Sequence, residues 1–303
     1  MENTMSLRHL KIFIAVYETA SFTGAGKRLR LAQPAVSLAV RELEEEYGVP
    51  LFDRVRHRIR PTAQGERLYE YALHIFTLLD EMQASVRDDE APGDLRIGSS
   101  MTIGSEILPD LLVRYRTLRP HIRTQVTVAN YHAVEEAILQ NRIDFGLIET
   151  EADHPRLASL PFMEDALCAI AAPHHPLSGG HALSLEEISG EPFLARESGS
   201  SIRDLVESVF TAAQLPFHPL WESASPQAIL SAAQHGFGIA VLPRRLAHDA
   251  LRAGRLCELQ VPALQIRRRC HIIYYQDKYV PPHMKDFFDL CLSLKSHSET
   301  DTD

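Results

Sequence analysis

The stretch LRHLKIFIAVYETASFTGAGKRLRLAQPAVSLAVRELEEEYGVPLFDR, residues 7–54, carries the clearest structural signal in the chain. Leu7, Leu10, Ile14 and Tyr17 recur at spacings of three and four, which predicts a first helix. Ser21 stands where an N-cap belongs, its hydroxyl able to accept from an exposed amide of a new first turn. A short second helix is expected over Phe22–Leu29, with Phe22, Ala25 and Leu29 on one face. Gly24 and Gly26 weaken it by roughly 1 kcal/mol each relative to alanine. After a turn at Arg30–Gln33, Pro34 opens a third helix, where its missing N–H costs nothing. Val36, Val40 and Leu43 face inward, the helix runs to about Tyr47, and Gly48 closes it. Two helices joined by so short a turn form a helix-turn-helix.

The outward face of the third helix carries the chemistry. Gln33, Ser37 and Arg41 are four apart and share one stripe, offering an amide, a hydroxyl and a guanidinium to base edges and phosphates of a major groove. Downstream, Arg54, Arg56, Arg58 and Arg60 alternate with Val55, His57 and Ile59. A period of two places the four arginines on one side of a β-ribbon, a wing suited to neutralising phosphates. Thr62 is an expected N-cap for a long helix through about Arg87. Along it Leu68, Ala72, Ile75, Leu79, Met82 and Val86 form an a/d seam. Packing on its own domain would explain part of that seam; its length points to a dimerisation helix, and a two-fold dimer would present two recognition helices to successive half-sites.

These residues resemble the N-terminal winged helix of LysR-type transcriptional regulators: A-S-F-T, A-Q-P-A-V-S, R-E-L-E, L-F-D-R and a closing R-P-T-A-Q-G appear in order at family spacing. The resemblance implies that Ser21, Thr23, Gln33, Pro34, Ser37, Leu38 and Arg41 lie on the side facing double-stranded DNA, while Phe22, Leu29, Val36 and Leu43 make the core. Leu38 occupies a position commonly polar or basic in the family, where it would touch a thymine methyl or alter specificity. Gly24 and Gly26 replace the usual basic or alanine residues, so no phosphate contact is assigned near position 24.

Charge supports a divided chain. Of 303 residues, Lys+Arg 31 and Asp+Glu 40 give a net charge of −9. Residues 1–62 hold 10 basic and 7 acidic side chains, net +3, leaving 21 and 33 in the remainder, net −12. An apolar share of 45% and a charged share of 23% fit a globular protein and exclude collagen-like or wholly disordered chains. No apolar run reaches membrane-spanning length and no secretory signal is visible. Cys168, Cys257, Cys270 and Cys291 are irregularly spaced and read as reduced thiols of a cytoplasmic protein, without a metal site.

Beyond the breaker-rich Ala91-Pro92-Gly93-Asp94, short apolar runs alternate with helical patterns. Strands are expected at Leu95–Gly98, Arg123–Ala129, Phe145–Ile148, Phe193–Ala195, Leu220–Glu222 and Ile239–Leu242. Helices are expected at Ile107–Leu118, Ala133–Asn141, Ile202–Ala213 and Gln227–Gln234, with a further one after Ile239–Leu242 to about Arg252. The alternation predicts an α/β fold with a largely parallel sheet. The family resemblance adds two Rossmann-like subdomains similar to periplasmic binding proteins, with chain crossings near Pro161–Leu167 and Arg267–His271. The expected division is a winged helix-turn-helix over 1–62, a linker helix over 63–90 and an effector-binding domain over 91–303. Within the last, one subdomain takes about 94–161 and 268–295, the other about 162–267. The polar tail from Ser296 to Asp303 is expected to be disordered.

In open α/β sheets, ligands sit beyond the carboxyl ends of strands, at helix starts. Ser99, Ser100, Met101 and Thr102 follow the first such strand, and Ser198, Gly199, Ser200 and Ser201 sit between a strand and a helix in the second half. Amides and hydroxyls at such places favour an anion. By the resemblance these loops line an effector cleft, to which Asn130, Glu149 and Ser223 are added. Glu149 would repel an anion unless it meets a cation; Arg196 and Arg203 are nearby. The motif details are nearest to family members sensing oxyanions or small carboxylates.

No nucleophile elbow, phosphate loop or zinc-protease motif occurs. Gly236-Phe237-Gly238 reads as a helix end and strand start, and His174-His175 as an exposed loop. The leading expectation is a homodimeric or homotetrameric transcriptional regulator without a cofactor, switched by a small molecule, with RNA polymerase a partner if it activates. The rival is a small-molecule-binding protein or enzyme with an incidental N-terminal helical module.

Overall fold

The computed structural model describes residues 5–55, 58–85 and 93–294, in two compact units that divide at residue 88. Arg56, His57, Val86, Arg87, Ala91, Pro92 and the tail from Ser296 lie outside the described residues.

The first unit contains α1 (Leu7–Thr19), α2 (Phe22–Leu29), α3 (Gln33–Tyr47), the hairpin β1 (Phe52–Val55) and β2 (Arg58–Pro61), and α4 (Ala63–Ser85). The Ser21 hydroxyl accepts from Gly24 N at 3.0 Å and starts α2, as its side chain predicts. Gly48, at φ +67°, ends α3 in a backbone region that favours glycine. The Thr62 hydroxyl accepts from Gly65 N at 3.0 Å and starts α4. Phe13, Val16, Ala25, Val36, Val40, Leu43 and Leu51 are buried together, with the Phe13 and Phe52 rings 5.3 Å apart. Each large apolar side chain so buried contributes about 1.5–3 kcal/mol.

Two expectations need correcting here. The buried line of α1 is Leu10, Phe13 and Val16 with Ile12 and Ala15, whereas Leu7 is exposed and Ile14 and Tyr17 are half-buried. This helix meets α2, α3 and α4 at once, so its buried face is wider than one stripe. The arginine ladder is also not one-sided. The chain reverses between β1 and β2 with register Asp53↔Arg60, Arg54↔Ile59 and Val55↔Arg58. Directly opposed residues of an antiparallel pair share a face. Arg58 and Arg60 therefore occupy positions on one face, and Arg54 a position on the other with Phe52 and Ile59.

The second unit runs β3 (Gly93–Ser99), α5 (Met101–Glu106), α6 (Leu108–Leu118), β4 (Ile122–Val128), α7 (Tyr131–Leu139), β5 (Phe145–Ile148) and β6 (Leu157–Ala171). It continues with α8 (Leu185–Ser189), β7 (Phe193–Arg196), α9 (Ser201–Ala212), β8 (Pro219–Ser223), α10 (Pro226–Gln234), β9 (Ile239–Pro243) and α11 (Arg244–Arg252). It closes with β10 (Cys257–Leu259), a single turn at Pro262–Leu264, β11 (Arg267–Tyr275) and α12 (Pro282–Leu292). The helix expected over Ile107–Leu118 is α6, with Pro109 in its first turn; the short α5 ahead of it was not expected, and the two meet at Ile107, whose φ −124° is not helical.

The sheet order is β4-β3-β5-β11-β6-β9-β7-β8, with β10 beside β6. Parallel pairs β3–β4, β3–β5, β7–β8 and β7–β9 make up its two ends, as the alternating pattern predicts. The centre departs from that pattern. Both chain crossings are strands, β6 and β11, and each is antiparallel to its neighbours, so the sheet is mixed. Separate apolar cores flank the two ends, one around Leu95, Tyr115, Phe145 and Phe287, the other around Phe193, Phe210, Ile239 and Leu264. The strand ends and helix starts between them form a cleft.

Candidate functional site

In the first unit, α3 buries Val36, Ala39, Val40 and Leu43 and turns the opposite side to solvent. Gln33 and Arg41 are exposed and Ser37 is half-exposed. The Gln33 amide donates to the Ser37 hydroxyl at 2.7 Å, and Arg41 Nε lies 3.3 Å from Glu45 Oε1 one turn on. An exposed pair of this kind is worth a few tenths of a kcal/mol and yields readily to a stronger anion. Leu38 is 45% exposed beside the stripe, and Pro34 and Thr23 are exposed as well. Ser21 is committed to capping α2 and is half-buried. Arg60 is exposed opposite Asp53.

In the second unit, β5 ends into Glu149, β3 ends into Ser100, and β7 ends at Arg196 just ahead of α9. A cleft of about 690 Å³ opens among Tyr131, Glu149, Ser201, Asp204, Arg268 and His271. A narrow recess that shares Tyr131, Glu149 and Ser201 with that cleft lies among Ser100, Thr102, Asn130, Arg196 and Ser200. Met101 also lines the recess. The Asn130 side chain meanwhile accepts from Ala133 N at 2.8 Å, which is ordinary capping of α7. Of the residues expected to meet an effector, Ser100, Met101, Thr102, Asn130, Glu149, Ser200 and Ser201 are thus brought together.

Four others are not brought there. Ser99 is wholly buried in β3 and its hydroxyl donates to Ser100 O at 3.1 Å. Ser198 is exposed and Gly199, at φ +80°, shapes the turn into α9. The Ser223 hydroxyl accepts from Ser225 N at 3.1 Å at the end of β8.

Ser100 stands apart chemically. It is 4% exposed, and its hydroxyl oxygen has no hydrogen-bond partner among the described residues. An unmet buried hydroxyl costs about 1–3 kcal/mol, so a partner supplied from the recess would be stabilising. Ser200, the residue before α9, makes no side-chain capping bond, which leaves the first amides of a 12-residue helix without one.

The charges are mostly residues that local patterns do not reveal. Arg268 is buried on β11; its Nη2 and Nε donate to Asp165 Oδ2 at 2.8 and 3.1 Å, and its Nη1 to the Ser201 hydroxyl at 3.2 Å. Its Nη2 also lies 3.7 Å from Glu149 Oε1. Arg196 is buried and donates to both oxygens of Glu197, at 2.8 and 3.0 Å. Arg203, half-buried on α9, lies over the Phe217 ring at 4.9 Å and bonds Glu207 at 2.6 Å. Tyr131 donates to Asp204 Oδ2 at 3.3 Å; burial and then the Asp204 charge push its hydroxyl up to about 12. Arg268, Asp165 and His271 escape the sequence reading because they lie on β11 and β6, away from the serine-bearing strand ends; Tyr131 escapes it although it follows Asn130. The run Arg267-Arg268-Arg269 is the signal that could have found the first, since strand alternation exposes its outer members and buries the middle one.

The histidine pair needs correction: His174 is exposed, but His175 is buried, accepting from Leu177 N at 3.2 Å and lying 3.6 Å from Glu191. Gly236 and Gly238 do join α10 to β9, and a Cβ at Gly238 would lie 2.2 Å from Pro192 O. His132, Glu135 and Asp153 also bring one potential ligand atom each within 4.8 Å of one another, a grouping no sequence motif announces. Two of the three are exposed. No helix among the described residues is long and apolar enough to cross a membrane.

Comparison with known proteins gives two family matches. Residues 7–66 match the bacterial regulatory helix-turn-helix protein, lysR family, and residues 88–295 match the LysR substrate binding domain. The chain is 36% identical over 287 residues to the uncharacterized HTH-type transcriptional regulator YeiE of Escherichia coli K12, covering 95% of this chain and 97% of that one. It resembles the structure of a full-length OxyR variant from Pseudomonas aeruginosa with a TM-score of 0.71 at 21% identity, over 97% and 95% of the two chains. It resembles the Synechocystis CcmR regulatory domain solved in complex with 2-PG with a TM-score of 0.63 at 25% identity, over 67% of this chain and 97% of that one.

Proposed function

The chain belongs to the LysR family of bacterial helix-turn-helix transcriptional regulators, not to an enzyme family, and on that premise we propose how its own residues do the work. Gln33, Ser37, Leu38 and Arg41 enter the major groove of double-stranded DNA, with Pro34 setting the entry of α3. Arg58 and Arg60, whose positions share one face of the hairpin, run along the phosphates, as does Thr23. The observation that carries this reading is the exposed line Gln33–Ser37–Arg41 on a helix whose other side is wholly committed to the core.

The effector is a small anion held by the Ser100 hydroxyl, the first amides of α9, Ser200 and Ser201, in a cleft between two subdomains joined through β6 and β11. The unpartnered Ser100 hydroxyl supports this. Arg268 is the nearest cation to Glu149, its Nη2 3.7 Å from that carboxylate. Effector binding favours one arrangement of the subdomains, and a ligand that binds two arrangements unequally shifts the population between them. The working form is a homo-oligomer assembled in part through α4, where Leu78 and Met82 are 47% and 54% exposed. RNA polymerase is a partner where the protein activates.

A gel-shift titration tests the DNA reading. Specific binding should weaken steeply between 50 and 200 mM salt, by up to about 10³-fold if some six phosphates are neutralised. Arg41→Ala should cost about 1–3 kcal/mol of specific binding with little change in thermal midpoint. Unchanged operator affinity in that variant removes Arg41 from the recognition set.

A further inference from the structure

Glu149 is the one acidic residue that lines both the cleft and the recess, and it is 5% exposed. Its carboxylate makes no hydrogen bond among the described residues. The nearest cation, Arg268, has its Nη2 3.7 Å away, too far for a bond, and gives its hydrogen bonds to Asp165 and Ser201 instead. Arg196 is likewise committed, to both oxygens of Glu197. The recess itself is lined by one guanidinium, Arg196, and two carboxylates, Glu149 and Glu197, a formal excess of one negative charge.

Such a lining is a poor receptor for a fully deprotonated anion. A carboxylate only accepts hydrogen bonds, so a ligand oxygen placed against it without a hydrogen meets two acceptors and two like charges in a buried space. The opposite wall, with the Ser100 hydroxyl and the amides that open α9, is a donor surface suited to negative oxygen. The recess therefore has a donating side and an accepting side.

We propose that Glu149 selects effectors carrying a hydrogen-bond donor next to the anionic group: a singly protonated oxyanion, or a hydroxy or amino acid, in preference to a fully ionised oxyanion of the same shape. The inference rests on the cleft reading above. The anionic oxygens take the Ser100 and α9 side, and the ligand's remaining O–H or N–H donates to Glu149. A site built around a polar group discriminates strongly against an analogue lacking the complementary atom, because the buried protein group is then left unpaired.

The test pairs ligands of similar shape, only one of each pair carrying a donor hydrogen beside the anionic group, using the full-length chain near neutral pH. Inorganic phosphate and sulfate are both tetrahedral anions, but only phosphate retains a hydrogen; glycolate and acetate differ by one hydroxyl. Binding is read by calorimetry and by thermal shift. Phosphate should bind at least about 10-fold tighter than sulfate, and glycolate tighter than acetate. Glu149→Gln, whose amide can donate, should narrow or reverse the phosphate–sulfate difference, while Glu149→Asp should keep its direction. Equal affinity for phosphate and sulfate in the unaltered chain overturns the proposal and leaves the anion cleft standing. Preserved discrimination in a folded Glu149→Gln protein overturns the role of Glu149 in the same way. If none of the four ligands binds, the anion-cleft reading falls and this proposal with it.

Discussion

Asp144 lies between β5 and its neighbours with little exposure, and it accepts from Arg96 N at 2.7 Å, from Arg96 Nη2 at 2.8 Å and from Lys278 at 3.4 Å. Burial alone would push its carboxyl up; the Arg96 bonds and the Lys278 charge outweigh that and hold it below the usual range. A carboxyl depressed in the folded state stabilises above its unfolded value, and that contribution is lost as pH falls through the folded value. Asp144→Asn should therefore cost about 3 kcal/mol near neutral pH, because Arg96 and Lys278 lose their partner. In urea titrations the gap from the parent should close as pH drops below about 4; a gap independent of pH contradicts the assignment. The thiols give a second check. Burial pushes Cys168 up to about 12 and raises Cys270 and Cys291 as well, and all three are enclosed. Only the half-buried Cys257 should react with a thiol reagent at about pH 8 in the native protein, although burial raises its thiol too. Three or more fast-reacting thiols would mean the apolar cores open readily.

Among the elements, α4 divides along its length. Its first turns are fixed to its own unit: Ala72 is buried, Leu68 packs on the core, and the Tyr69 ring stacks on Tyr17 at 3.8 Å. A Cβ at Gly65 would lie 2.1 Å from Leu51 O, so Gly65→Ala should destabilise the first unit by about 1–3 kcal/mol in chemical unfolding. A variant as stable as the parent would contradict that close approach. Further on, Leu78 and Met82 are exposed. If α4 assembles copies of the chain, Leu78→Lys with Met82→Lys should lower the mass measured by light scattering, and an unchanged mass assigns assembly elsewhere. Periodicity made these elements legible: α2, α3 and the strand Phe145–Ile148 stand within a residue of their expected bounds because caps, prolines and apolar spacing agree locally. The faces were harder to read. One apolar stripe cannot report that α1 has three neighbours, nor does a run of alternating arginines show that the chain turns back within it. In the cleft, serines at helix starts were visible from local rules. Arg268 and Asp165 were not, since what joins them is a cross-strand register between residues a hundred positions apart.

At the scale of the whole molecule, charge is divided: +3 over residues 1–62 and −12 over the rest. Attraction to a polyanion is thus confined to residues 1–62, while the acidic remainder discourages adhesion of the body to nucleic acid. Ligand linkage should be just as local. An effector at 100 times its dissociation constant should stabilise the second unit by about 2.7 kcal/mol. Its calorimetric transition should shift while that of the first unit stays in place; a uniform shift of both would show that the units unfold as one.

The register of β6 with β11 has a genealogical meaning as well. Ala166 and Arg267 are directly paired, so the chain leaves for its distal lobe and returns from it at points only about 5 Å apart. Everything from Leu167 to Ile266 hangs from adjacent rungs of one ladder, with an apolar core of its own. A hairpin loop of two to five residues could close that gap. The distal lobe is therefore arranged as a cassette, one that recombination could exchange between relatives to alter the signal sensed while the promoter address stays the same.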